Sequence, residues 1–384
     1  MSLADDLVQI RDRILPIDPS FRRVDDALIE RCVADCHQSA LEGATDAFLL
    51  SAMRLLALPG NGHTRLIPND AISVLPLRFV SVGRAIHAVG ASRGEVIAVG
   101  GVPVAEIEAR AVAYLAGTRQ RQRVIGSILL VWPSALAQLG VPSVGGATEY
   151  LVCGKDGKIA TLRLAHDDMV PASALYPRNE HGRVDPAWKP ETFAEITEWE
   201  GLGLSIRLPS FFDESGEALP QAISEAVDRV RASASKTLLI DVRGNTGGDF
   251  LRTMPLIDAV TAAAPRRVVM LVDKFTFSAA IVFVAILKHR LGPRLTLIGE
   301  EMGDGLTFFA EGGTVELPRS GAVVRYSTAF HNWTTGTSDD TTPPQIAKQL
   351  VAAGDVTLDQ ERTFDPTGAE TDGVLLQRIL KGLR

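Results

Sequence analysis

Apolar residues recur at helical spacing along the first sixty positions. Leu7, Ile10 and Ile14 share one face, and Leu28, Ile29 and Cys32 repeat the pattern, which predicts two helices. A third is expected from Thr45 or Asp46, both good N-caps, carrying Phe48, Leu49, Ala52, Met53 and Leu56. Pro59-Gly60-Asn61-Gly62 stops it and delivers His63 on a loop, closing an N-terminal helical segment over residues 1–64. The period then changes. Short β-type runs at 72–82, 86–89, 96–99, 149–152 and 159–164, separated by glycine-bearing turns, predict a small β-domain over 65–166. Residues 167–199 open with a polar, proline-rich stretch (Pro171, Pro177, Pro186, Pro190) and read as a linker or long surface loop.

From residue 200 strands and helices alternate: strand 202–208, helix 220–231 with Ile223, Val227 and Val230 on one face, strand 237–242, helix 250–263, strand 268–272, helix 278–291, strand 295–298. This predicts an α/β domain over 200–384 with a largely parallel sheet. There is no internal repeat and no low-complexity tract.

Composition narrows the class without changing this picture. The 384 residues are 46% hydrophobic and 22% charged, ordinary for globular domains. The net charge of −7 argues against nucleic acid as a partner. The short basic stretch of Arg119, Arg121 and Arg123 has no aromatic neighbours and reads as a solvated loop or helix face. Three cysteines make neither a disulfide framework nor a zinc site. Cys32 and Cys36 share a helix face, and although His37 follows, no further ligands appear, so they read as small core residues. No metal and no cofactor is expected. No run approaches the roughly 18 apolar residues of a membrane span. The opening Met-Ser-Leu-Ala-Asp-Asp lacks the layout of a secretory leader, which says little about compartment.

Three segments carry candidate chemistry. In the first, the apolar strand Leu238-Leu239-Ile240-Asp241-Val242 runs into Arg243-Gly244-Asn245-Thr246-Gly247-Gly248-Asp249 before a helix. Glycines there let backbone N–H groups approach a ligand closely, and a helix N-terminus favours developing negative charge. A plain strand-to-helix turn has the same composition, and the order is not that of a dinucleotide fingerprint. In the second, Val272-Asp273-Lys274-Phe275-Thr276-Phe277-Ser278-Ala279-Ala280-Ile281 ends a buried strand and opens a helix that is apolar nearly all round. Ser278 would lie in the field of that helix N-terminus beside the Ala279 N–H, or serve as an ordinary N-cap. The third is Asn61-Gly62-His63-Thr64. A serine hydroxyl needs a base within hydrogen-bond reach, and a histidine on a glycine-flanked loop suits that role near neutral pH.

Jointly these segments resemble the core of the tail-specific (C-terminal processing) and tricorn-type serine peptidases, closer to the tricorn-like branch. Ile240–Gly248, Thr276-Phe277-Ser278-Ala279-Ala280, the glycine-rich Leu297–Gly305 and Gly62-His63-Thr64 carry the likeness, and 94–104 resembles late strands of a PDZ-like domain. The resemblance implies a crotonase/ClpP-like ββα core, a small PDZ-like β-domain and a peptide or protein substrate. It also implies Ser278 as nucleophile, His63 as general base, and an oxyanion hole from the Ala279 N–H with an N–H of Gly247 or Gly248. That family is most often found outside the bacterial cytoplasm, which implies a periplasmic or secreted placement.

Two departures stand out. The tail-specific branch pairs its serine with a lysine on the stretch that here reads Glu300-Glu301-Met302-Gly303-Asp304-Gly305, and Lys288 in the apolar helix is no obvious substitute. The tricorn branch uses a late glutamate, whereas residues 332–344 hold none. Glu300, Asp339 or Asp340 are the candidates to orient His63, a solvated turn carboxylate being the plainer explanation of Glu300. Alternative functions are a non-catalytic peptide- or lipophile-binding member of the same fold, a crotonase-type enzyme on acyl thioesters (for which no phosphate-binding segment is present), and a small-molecule esterase or amidase. No motif specifies oligomeric state.

Overall fold

The structure is a computed structural model and describes residues 2–90, 94–175, 192–263, 265–364 and 372–382. Of the expected linker 167–199, residues 176–191 fall outside these, and Glu195–Trp199 is a sheet strand rather than linker. The chain divides into two compact units: Met1–Pro186 with Phe308–His331 and Asp339–Pro343, and Ala187–Thr307 with Asn332–Ser338 and Pro344–Arg384.

In the first unit the three helical patterns are realised. Leu3–Val8 continues into a π-helical stretch, Gln9–Ile14, followed by helices Asp26–Leu41 and Thr45–Ala57. Leu7, Ile10, Ile14, Cys32, Cys36, Phe48, Leu49, Ala52, Met53 and Leu56 are all buried, while Leu28 and Ile29 are half-buried, so the spacing read from the sequence is that of the core except at the start of the second helix. Capping differs from expectation. Ala44 is the N-cap of Thr45–Ala57, and the Asp46 carboxylate accepts from the buried Trp132 Nε1 at 2.9 Å and from Ser134 Oγ.

An antiparallel sheet follows in the order Arg78–Val82, Ala85–Val89, Gly94–Val99, Ala147–Cys153, Ile159–Ala165, with Val102–Pro103 paired to Gly94–Val99. Three helices that the β-pattern did not announce lie within this stretch: Val104–Ala111, Arg119–Gly126 and Pro133–Gln138. The basic stretch is on the second of them, and Arg121 is only 6% exposed, against the solvated reading. Tertiary contact overrode its polarity. A late segment joins this unit: Val323–Tyr326 pairs with both Arg65–Ile67 and Gly313–Glu316 in a three-stranded sheet.

The second unit realises the strand–helix alternation. Its sheet runs Glu195–Trp199, Gly203–Arg207, Thr237–Asp241, Arg267–Val272, Leu295–Gly299, Gln360–Glu361, with the first strand antiparallel and the rest parallel. Ala218–Ala232 connects the second and third of these. The Phe250–Thr253 turn with Met254–Ala263 connects the third and fourth, and Ala279–Leu291 the fourth and fifth. Residues 238–242 and 268–272 are buried at every position, as parallel strands covered on both faces should be. Ala279 through Leu287 are likewise buried without a polar face. Leu375, Leu376, Ile379 and Leu380 of Asp372–Gly382 cluster with Leu239, Val269, Leu271 and Ile298. Among the described residues no helix is long and apolar enough to cross a membrane, and no group of three or more His, Cys, Asp or Glu is placed to hold a metal.

Candidate functional site

In the second unit the turns leaving the parallel strands are tied to one another at the sheet's carboxyl edge, where open α/β sheets bind ligands. Asp273, at the end of Arg267–Val272, takes three backbone N–H donors on Oδ1: Gly244 at 2.9 Å, Phe275 at 3.0 Å and Thr276 at 3.0 Å. Burial pushes its carboxyl above the usual range, and these donors together with Lys274 and Arg243 pull the other way. Thr276 Oγ1 donates to Val242 O at 3.0 Å, Phe277 N to Asn245 O at 3.0 Å, and Gly303 N to Thr276 O at 2.8 Å. Ser278 therefore emerges from a turn anchored on both sides.

Ser278 has φ 57° and ψ −126° and precedes Ala279–Leu291 directly. A non-glycine residue in this region stores about 1–3 kcal/mol of strain, which the surrounding bonds sustain. The ordinary N-cap explanation fails, because its side chain makes no capping bond, and Oγ has no hydrogen-bond partner among the described residues. The side chain is half-buried.

Gly247 lies against this turn, and Gly248 against the Phe211–Phe212 backbone, at distances only glycine permits. A Cβ on Gly247 would fall 2.7 Å from Ser278 Cβ and 3.0 Å from Ala279 N. One on Gly248 would fall 1.9 Å from the Phe211 carbonyl carbon. The Gly247 N–H is already given to Asn245 Oδ1 at 2.9 Å, and Asn245 Nδ2 donates to Leu208 O at 2.8 Å. The N–H groups of Gly248 and Ala279 are taken by no acceptor among the described residues.

Glu300 is buried, not a solvated turn residue, and lies 3.5 Å from Lys274 Nζ, which is 2% exposed. Sequence reasoning looked for a lysine after the next strand and missed this one, four positions before Ser278. Lys288 is engaged by Asp359 at 3.0 Å and by Leu295 O at 3.1 Å. Asp339 and Asp340 are exposed: Asp339 Oδ1 accepts from Thr341 N at 2.8 Å, and Asp340 meets Arg22 at 3.0 Å.

His63 belongs to the first unit and is buried. Its ring stacks on Phe308 at 5.0 Å, and Phe308 stacks on His331 at 4.9 Å. Side chains hold its loop. Thr64 Oγ1 donates to Asp18 Oδ2 at 2.6 Å, Ser327 N donates to the same oxygen at 2.9 Å, and Asn61 Nδ2 reaches Thr64 Oγ1 and Ser327 Oγ, both at 3.0 Å. Asn61 Oδ1 accepts from Phe309 N at 3.1 Å. Asp18 gave no sign of this role in the sequence, since its partners lie 46 and 309 positions away. Burial, then the cations Arg325, Arg121 and Arg65, then His331, hold His63 well below the usual imidazole pKa, so the ring is neutral at pH 7.

No protein-family model and no curated protein matches this chain. Solved structures do. A serine-to-alanine mutant of CPAF aligns over 95% of this chain and 94% of its own at 12% identity, with a TM-score of 0.57. Mature CPAF complexed with lactacystin aligns over 92% and 96% at 14% identity, with a TM-score of 0.53. A photosystem II D1 C-terminal processing protease aligns over 99% and 95% at 15% identity, with a TM-score of 0.39. The protein thus has a mixed α/β fold similar to that of CPAF over nearly its whole length.

Proposed function

We propose that the protein is a serine-type peptidase of the tail-specific or tricorn-like kind, with Ser278 as nucleophile and His63 as general base. The observation that carries this reading is the Ser278 turn: a strained, half-buried serine without a capping role, at a helix N-terminus, packed against a glycine backbone. In this mechanism His63, neutral at pH 7, takes the Ser278 proton as Oγ attacks a peptide carbonyl. The N–H groups of Ala279 and Gly248 receive the developing oxyanion, Gly247 being committed to Asn245. His63 then protonates the leaving amine, and water releases the acyl group. Glu300, Asp339 and Asp340 stay the candidates to orient His63, and the ion pair with Lys274 holds the buried Glu300 carboxylate in place.

The finer architecture belongs to the same proposal. The parallel strands with their crossover helices support a crotonase/ClpP-like core, and the antiparallel sheet of residues 78–165 supports a PDZ-like module; the four-part division at 64, 166 and 199 is kept with them. Labelling with a fluorophosphonate probe tests the chemistry. The parent should label, and Ser278→Ala and His63→Ala should not. Lactacystin, which mature CPAF holds in its complex, should compete with the probe. A folded parent that fails to label over a broad pH range overturns the catalytic reading and favours the binding-protein alternative.

A further inference from the structure

A small cavity opens in the first unit between the strand Ala85–Val89, the helices Val104–Ala111 and Arg119–Gly126, and the turn Ser127–Leu130. It encloses about 50 Å³ and is walled by Ile86, Ile107, Leu115 and Leu129. One water needs roughly 10–15 Å³, so the space admits a group of several heavy atoms. The edge strand Arg78–Val82 contributes nothing to the lining. This is therefore not a groove in which a peptide strand adds to the sheet.

Polar groups face this apolar space without partners. Gln122 Nε2 donates to Leu115 O at 3.1 Å and to Gly117 O at 3.2 Å. Two carbonyls can only face the amide nitrogen, which fixes the orientation and turns Oε1 to the cavity that Gln122 lines. That oxygen is buried and accepts no hydrogen bond among the described residues, whereas buried acceptors are nearly always satisfied. Glu108, also on the lining, is half-buried and makes no hydrogen bond or ion pair among the described residues. Burial pushes its carboxyl above the usual range, against the pull of Arg123 and then Arg119. The Ser127 hydroxyl likewise has no hydrogen bond among the described residues. Two acceptors and a hydroxyl thus converge on one apolar recess, the composition of a small-ligand site. With Arg119 and Arg123 on the lining against one carboxylate, the balance of charge disfavours a cation.

We propose that this cavity binds a small neutral molecule with a short aliphatic group and an O–H or N–H donor, which Gln122 Oε1 and Glu108 accept. The site lies wholly in the first unit and does not rest on the peptidase reading.

Saturation-transfer NMR on the full-length protein tests it with matched probes: 2-methylpropan-1-ol, a donor; butan-2-one, an acceptor of the same size; and 2-methylpropylammonium. The alcohol should bind with a Kd on the order of 1 mM. It should bind roughly fivefold tighter than the ketone, and tighter than the ammonium. Ser127→Phe, which fills the recess, should abolish alcohol binding. Gln122→Met should level alcohol and ketone. Because it also removes the bonds to Leu115 and Gly117, thermal unfolding checks its fold, and Glu108→Leu, which removes no bond, should narrow the same gap. Equal binding of alcohol and ketone by the parent, tighter binding of the ammonium, or an alcohol signal that survives Ser127→Phe overturns the site. So does the absence of any probe signal, which would leave the cavity to water.

Discussion

The half-buried Ser278 turn and the buried His63 loop are both tightly held, but by different means. Around Ser278 the ties are mostly backbone groups: Asp273 collects three N–H donors, Phe277 N bonds Asn245 O, and Gly247 approaches too closely for any side chain, as its neighbour Gly248 does at Phe211. Around His63 the ties are side chains, with Asp18, Asn61, Thr64 and Ser327 forming one connected network and Phe308 stacked on the imidazole. Backbone scaffolding concentrates sensitivity at glycines. A side-chain network spreads it over polar residues that each satisfy several partners.

The largest expected effect breaks the backbone scaffold. Gly248→Ala places a Cβ about where the Phe211 carbonyl stands, at a φ of 133°. Loss of more than about 5 kcal/mol, seen as failure to fold or collapse of the urea midpoint, is expected. A well-folded Gly248→Ala protein would mean that the close approach is not needed.

Next is Lys274→Met, which removes one partner of the buried pair with Glu300. Breaking such a pair costs about 3–5 kcal/mol, and the double variant Lys274→Met/Glu300→Leu should recover most of it. Recovery of stability with labelling still intact would confine the pair to support.

On the other side of the comparison, Asp18→Ala leaves the Thr64 hydroxyl and the Ser327 N–H without their shared acceptor, at a cost of about 1–3 kcal/mol in chemical unfolding. Fluorophosphonate labelling should slow further than this stability loss explains, because the His63 loop is released. Labelling at the parent rate would show that the network serves only the fold.

The pH dependence of stability follows from His63. Its folded pKa lies below the unfolded value near 6.5, so below about pH 6.5 the unfolded chain takes a proton that the folded one refuses. Stability should therefore fall by up to about 1.4 kcal/mol per pH unit as pH drops from 6.5. His63→Gln should flatten that slope; an unchanged slope would assign it to other groups.

The smallest effect has the opposite sign. Ser278→Gly relieves the positive φ and removes no capping bond, so a gain of about 1 kcal/mol in stability with complete loss of labelling is expected. A destabilised glycine variant would mean that the conformation is not strained.

Much of the second unit was legible along the chain. The short β-branched and aliphatic runs 238–242, interrupted only by Asp241, and 268–272 read as covered strands, and the longer all-apolar 279–287 as a buried helix. The glycine turn and the serine after the following strand were visible because close backbone approach demands glycine whatever surrounds it. The first unit was less legible beyond its helices. The helix Arg119–Gly126 carries few apolar residues, so no hydrophobic period announced it, and Arg121 became buried through long-range packing. The segment Phe308–His331 returns to the first unit from far along the sequence, and neither periodicity nor composition encodes such a return.

The sequence by itself determined the N-terminal helices and the strand–helix alternation of the second unit, and where serine, histidine and glycines could do chemistry, because periodicity and backbone freedom are local properties. Only the tertiary structure decided that Glu300 meets Lys274, that Gly247 spends its N–H on Asn245, and that Asp18 binds the His63 loop. Each of these depends on which distant groups are desolvated together, and burial is a property of the folded chain as a whole.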